Sequence, residues 1–113
     1  MLPKENRLRE KSDFKRVYVY KKSLANRQLV LYSRRNKSGL TRFGFSISKK
    51  VGKAHQRNML KRQLRDIVRL DLLCIKKGFD YIFVVRAPFK DMDYQQKKKS
   101  VFNLLRKGNF LDE

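Results

Sequence analysis

Between Arg42 and Arg69 the apolar period changes once, from two to about 3.6 residues, and this switch limits what the chain can fold into. Over Arg42–Ser48, Phe43, Phe45 and Ile47 point one way and Gly44, Ser46 and Ser48 the other, the alternation of a strand packed on one face. From Arg57 onward, Leu60, Leu64, Ile67 and Val68 recur at helical spacing. On a wheel of about 100° per residue, Arg57, Lys61, Arg65, Arg69 and Arg62 spread over roughly 140° beside that apolar arc, with Asn58 among them. The run Ser46–Arg69 carries eight Lys or Arg and one acid, Asp66. A rigid helix with one buried stripe and one cationic face is therefore predicted. Arg presents a planar fork that fits phosphate, Lys a point charge. Asn58 can donate and accept, so it can meet a base, a 2′-hydroxyl or a backbone group.

The whole chain repeats the imbalance. Thirty Lys plus Arg against ten Asp plus Glu leave +20 on 113 residues, the length of one domain spanning 1–113. Such a charge opposes compaction by self-repulsion, so its use lies outside the fold. Acids are too few for the usual i,i+4 ion pairs, and like charges at that spacing repel by about a few tenths of a kcal/mol. A polyanionic partner is expected, and nucleic acid suits it better than a membrane. The basic helix has no large aromatic face to insert into lipid. No paired recognition-helix pattern or dimerisation stripe suggests a DNA regulator. Cys74 is the only cysteine, which rules out an internal disulfide and a cysteine-rich metal site. Among Leu72, Leu73 and Ile75 it is expected to be a buried thiol. The opening MLPKENRLREK has no apolar run, and the longest apolar run, Tyr81–Val85, is too short to cross a bilayer. A soluble, cytoplasmic protein in a reducing setting is expected.

Residues 1–11 are basic and poor in apolar groups and read as a loose arm. Ser12 or Asp13 is expected to cap a short helix whose Phe14, Val17 and Tyr18 share a face. Leu29–Tyr32 alternates, with Leu29 and Leu31 opposite Val30 and Tyr32, and Asn36–Gly39 signals a turn. The two alternating segments are expected to pair as an antiparallel hairpin, bulky side chains on the helices and Gly44, Ser46 and Ser48 exposed. The long helix has a weak start within 53–57 and is expected to end at Lys76, Lys77 and a left-handed Gly78. Tyr81–Arg86 reads as a central strand ended by Pro88. Asp93 with Gln96 makes a capping box for a last helix, which buries Val101, Leu104 and Leu105 and stops at Gly108. The resulting class is α+β, helices on one sheet face and the other partly open.

Catalytic chemistry in this chain is not expected. His55 is the only histidine, so a two-histidine acid–base pair is unavailable. Asp91 and Asp93 stand close in sequence, but capping accounts for Asp93, and no metal site is assigned. There is no glycine-rich nucleotide loop.

Phe45-Ser46-Ile47-Ser48-Lys49-Lys50-Val51-Gly52-Lys53-Ala54, then Arg57-Asn58-Met59-Leu60-Lys61-Arg62-Gln63-Leu64-Arg65-Asp66, resembles the signature of the protein subunit family of bacterial ribonuclease P. Arg7-Leu8, Asp13-Phe14, Val17-Tyr18, Ala25-Asn26-Arg27, Leu31-Tyr32 and Asp80-Tyr81 also stand where that family has similar residues. Met59 departs from it, replacing the third member of Arg-Asn-Arg, and lies off the basic arc. The resemblance implies a ribosomal-protein-S5-like sandwich with a four-stranded sheet and a left-handed β-α-β crossover. Three strands can be placed from the sequence, and the fourth cannot. It further implies a ribonucleoprotein in which a large RNA, using Mg2+, removes the 5′ leader of precursor tRNA. The protein would bind that RNA, as one monomer per RNA, through Lys50, Lys53, Arg57, Asn58, Lys61, Arg62 and Arg65, with Arg69 added by the helical wheel. The leader would lie in a cleft of Phe14, Tyr18 and Tyr32, with Lys49, Ser46 and Ser48 near its floor. A basic groove with aromatic faces suits single-stranded RNA. The same three aromatics also fit a core, where each tyrosine hydroxyl needs a partner. A structural, ribosomal-type RNA-binding protein with no part in cleavage is the alternative.

Overall fold

In chain order the elements are α1 (Lys11–Val19), β1 (Ser23–Ala25), β2 (Leu29–Arg35), β3 (Arg42–Ser46), α2 (Ala54–Leu70), β4 (Phe79–Val85) and α3 (Tyr94–Lys107). Short 3-10 turns lie at Lys4–Asn6, Leu72–Cys74 and Ala87–Asp91. The computed structural model describes residues 2–112. The strands form one sheet in the order β1-β2-β4-β3. β4 pairs antiparallel with β2, Leu29 opposite Val85, and parallel with β3, Phe45 opposite Phe83. The expected hairpin between β2 and β3 is therefore wrong, because β4 lies between them. β4 is apolar on both faces and needs partners on both edges. The turn at Asn36–Gly39 exists, with Gly39 at φ 75°, but it carries the chain past the end of β4.

Each face of β4 packs a different layer. Tyr81 and Phe83 meet Phe43 and Phe45, beneath Leu60, Leu64, Ile67 and Val68 of α2 and Val101, Leu104 and Leu105 of α3. Opposite, Ile82 packs on Leu8 and on Val17 of α1, ringed by half-buried Phe14, Tyr18, Tyr32 and Val84. Helices thus occupy both faces, two on one side and α1 alone on the other.

The fourth strand is β1, pairing Ser23 with Tyr32 and Ala25 with Val30. Its three residues offer no apolar run to read. Asn26 explains why the hairpin holds. Its Oδ1 accepts the Gln28 and Leu29 N–H groups at 3.0 and 2.8 Å, and its Nδ2 donates to Ser100 on α3.

Several expected ends shift. α1 starts after Glu10 without a side-chain cap, and Asp13 instead pairs with Arg16 at 2.9 Å. Residues 2–10 are no loose arm, since Leu2, Asn6 and Leu8 are buried and the Leu8 N–H donates to the Phe43 carbonyl at 2.8 Å. α2 starts at Ala54, where the Lys53 N–H donates to Gln56 Oε1 at 2.9 Å, half of a capping box that a Lys at the cap position cannot complete. α2 stops at Leu70, well before Gly78, because Ile75 must reach the core and bridges Leu111. Gly78 is left-handed, φ 85°, but at the entry to β4, where its carbonyl accepts the Asn36 N–H. Cys74 is exposed, not buried, since the 3-10 turn points Ile75 inward in its place.

The capping box of α3 is as expected, with the Gln96 N–H donating to Asp93 Oδ1 at 2.8 Å and the Asp93 N–H to Gln96 Oε1 at 3.0 Å. Asp93→Ala should cost about 1 kcal/mol. Thermal unfolding should register this as a fall of about 4–8 °C, and an unchanged melting temperature would mean that the cap contributes nothing to stability.

Candidate nucleic-acid interface

α2 supplies most of the cations, and its roll is set from below. Leu60, Leu64, Ile67 and Val68 are buried, which turns the remaining arc outward. A second device is a buried cation. Lys97 of α3 is 3% exposed, donates to Gln63 Oε1 at 2.8 Å and lies over the Phe89 ring at 5.7 Å from its centroid. Burial lowers its pKa, with Asp91 and Asp93 opposing. Sequence reading does not find Lys97, because Lys is ordinarily a surface residue.

On the outward arc Asn58, Arg62 and Arg69 are exposed, while Arg57, Lys61 and Arg65 are half-buried. Arg57 Nε is buried, and no acceptor among the described residues reaches it. Arg69 stands 3.7 Å from Asp66, a loose pair on the helix surface. Arg65 lies beside Arg7, and burial followed by that like charge lowers its pKa. Lys49, Lys50 and Lys53 are exposed in the loop between β3 and α2.

The aromatic set sits around the other sheet face. Phe14 lies over Gly44, where a Cβ would come within 2.5 Å of its Cζ. Tyr18 and Tyr32 meet edge to face, centroids 4.9 Å apart. Burial raises the Tyr18 pKa, the Ser46 hydroxyl that it bonds lowers it, and Tyr32 raises it further. The three aromatics are half-buried, so they are neither core nor free surface. The small residues of β3 are not all exposed as expected. Gly44 is buried under Phe14 and Ser46 half-buried beside Tyr18, and only Ser48, past the strand end, is exposed.

Two cations of the basic set and one aromatic of the cleft set meet in one concavity. Lys61 and Arg65 of α2, Phe14 of α1 and Gly44 of β3 line a hollow of about 330 Å3 with Arg7 and Arg9. Sequence reading assigns neither arginine to a site, because residues 1–11 read as an arm. The available signal is Leu8 between them, which puts both on the face opposite a buried leucine. The other predicted residues do not line this hollow: Tyr18, Tyr32, Ser46, Ser48 and Lys49 of the cleft set, and Lys50, Lys53, Arg57, Asn58, Arg62 and Arg69 of the basic set.

A family model described as Ribonuclease P matches residues 2–109. The chain belongs to the ribonuclease P protein family. It is 43% identical over 106 residues to the ribonuclease P protein component of Clostridium botulinum strain Langeland, covering 93% of this chain and 96% of that protein. Against that of Clostridioides difficile strain 630 it is 43% identical over 101 residues, 88% of this chain and 89% of the relative. Among solved structures, Staphylococcus aureus RNase P protein superposes with a TM-score of 0.87 at 36% identity, covering 95% of this chain and 98% of that one. The protein from Thermotoga maritima gives 0.83 at 34% identity, covering 89% and 96%. The fold class is thereby that of ribonuclease P proteins, and an RNA partner follows from the family.

Met59, the departure from the family pattern, is 45% exposed on α2, so a longer cation fits there without repacking. Met59→Arg should bind ribonuclease P RNA at least as tightly as the parent in a filter-binding titration, and weaker binding would contradict this placement. Gly44→Ala should destabilise by about 1–3 kcal/mol through overpacking on Phe14. Adding Phe14→Ala should recover part of that loss in a denaturant double-mutant cycle, whereas simple additivity would mean the contact does not matter.

Proposed function

We propose that this chain is the protein subunit of a bacterial ribonuclease P, acting in the cytoplasm to support removal of the 5′ leader from precursor tRNA. One copy binds one catalytic RNA through Lys50, Lys53, Arg57, Asn58, Lys61, Arg62, Arg65 and Arg69. The leader lies in the cleft of Phe14, Tyr18, Tyr32, Ser46, Ser48 and Lys49. The observation that carries this reading is the hollow over Gly44, where Arg7, Arg9, Lys61 and Arg65 converge on the open side of Phe14 with no carboxylate in its lining. Arg7 and Arg65 raise each other's cost there, and an anionic strand between them relieves it.

Catalysis belongs to the RNA in this proposal. Among the described residues, no group of three or more His, Cys, Asp or Glu converges. Mg2+ is assigned to the RNA. The chain's part is electrostatic and positional. Cations on α2, held by a packed stripe, neutralise phosphates, which lowers the magnesium needed for RNA folding and substrate binding. The half-buried aromatics offer faces to unpaired bases, which only a precursor presents. Among the described residues, no helix is long and apolar enough to cross a membrane.

The deciding experiment is precursor-tRNA cleavage at low magnesium by a bacterial ribonuclease P RNA, with and without this protein, and by the protein alone. Strong stimulation of the RNA, with the protein alone inert, is expected. RNA binding without stimulation would reduce the chain to a structural RNA-binding protein. Arg62→Ala should weaken RNA-subunit binding, while Phe14→Ala should mainly erode the preference for leader-bearing over mature tRNA. Affinity should fall with salt with a log–log slope of several units, if about five to eight phosphates are neutralised. If both variants simply unfold, the site assignment fails.

A further inference from the structure

α1 lies across the second face of the sheet, and the leader cleft occupies only one of its flanks. On the other flank Arg16 and Val19 of α1, Tyr20 just past its end and Arg34 of β2 line a hollow of about 660 Å3. A smaller one of about 330 Å3 adjoins it at the end of the sheet, sharing Tyr20 and Arg34 and adding Lys22 and Arg35. Tyr20 is 58% exposed and Val19 65%, so an aromatic ring and an aliphatic crest stand in water among cations. Carboxylates nearby do not balance these charges. Asp80 already holds Arg42 through both oxygens at 2.8 Å and accepts from Asn36, and Asp13 is paired with Arg16. Lys22, Arg34 and Arg35 have no acid partner among the described residues. Arg35, the next residue of β2, alternates to the opposite sheet face, where its guanidinium lies over the Phe79 ring at 5.6 Å from the centroid, so these cations wrap around the end of the sheet.

The surface is continuous with the cleft. Lys15 and Val19 line hollows on both flanks of α1. Tyr32 and Arg34 are two residues apart on β2 and so share a sheet face, about 7 Å apart along the strand. Lys22 is beside them, its carbonyl accepting the Ser33 N–H at 3.1 Å. Exposed cations with one aromatic platform are the chemistry that grips single-stranded nucleic acid without reading its sequence.

We propose that a long leader leaving the cleft past Tyr18 and Tyr32 continues over the end of α1 onto a second contact surface formed by Tyr20, Lys22, Arg34 and Arg35. This rests on the leader-cleft reading and extends it to the distal leader. A short leader ends inside the cleft, so only a long one gains from these residues.

The test uses the assembled ribonucleoprotein and precursor tRNAs with leaders of about 4 and about 16 nucleotides, the span of single strand that one small fold covers. The long leader should bind more tightly to the parent. Arg34→Ala with Arg35→Ala should remove most of that advantage and lower the long-leader salt slope by about 2, one for each phosphate no longer neutralised. Tyr20→Ala should remove part of the advantage with the slope unchanged. Short-leader affinity and RNA-subunit affinity should stay at parental values in all variants, which also reports that they are folded. Equal affinity of the parent for both leaders would overturn the second surface and leave the cleft reading standing. A loss of RNA-subunit affinity in the arginine variant would assign these cations to the catalytic RNA and overturn the proposal too. Phe14→Ala in the same series tests the underlying reading separately, since an unchanged short-leader affinity would remove the cleft itself.

Discussion

Burial of β4 on both faces is the constraint on which everything else rests. Tyr81 and Phe83 need one layer and Ile82 another, so helices must lie on both sides of the sheet. Backbone groups on both edges need partners, so β2 and β3 take one edge each. With β3 held parallel to β4, α2 becomes the crossover between them and its cationic arc faces away from the sheet. With Ile82 requiring cover, α1 is drawn to the opposite face and brings Phe14 over Gly44 and Tyr18 against Tyr32. One apolar strand thereby positions both the basic face and the aromatic cleft.

A chain at +20 has few acids available for its own fold, and they act at a small number of places. Asp80 is 3% exposed and gathers Arg42 and Asn36, tying β4, β3 and the turn between β2 and β3. This pairing raises the Arg42 pKa against the opposing effect of burial. Asp93 caps α3. Elsewhere the frame uses neutral polar groups in place of ion pairs, Asn26 for the first hairpin and Gln63 for the buried Lys97. Surface cations such as Lys22, Arg34 and Arg35 are left without acid partners among the described residues, which is the condition for binding a polyanion strongly and for depending on salt.

The legible part of the site comes from single elements. Arg57, Lys61, Arg62, Arg65 and Arg69 follow from helical spacing within α2, and the packing of Phe14, Val17 and Tyr18 on one face follows from spacing within α1. Arg7 and Arg9 are not legible, because the burial of Leu8 depends on Ile82, more than seventy residues away. Cys74 and the end of α2 are misplaced by sequence reading for a similar reason. What stops the helix is the pairing of Ile75 with Leu111, which no local pattern announces.

The sequence by itself determined the periodic elements, the capping of α3, the cationic face of α2 and, through the block Phe45–Asp66, the family. These depend on interactions within about four residues or on direct likeness. Tertiary structure alone decided which strand is central, that β2 and β3 do not pair, where the short β1 lies, and that cations from the N-terminal segment share a hollow with α2. Strand order and face are settled by competition for the edges and faces of one buried strand, and the contacts that win it join residues far apart in the chain.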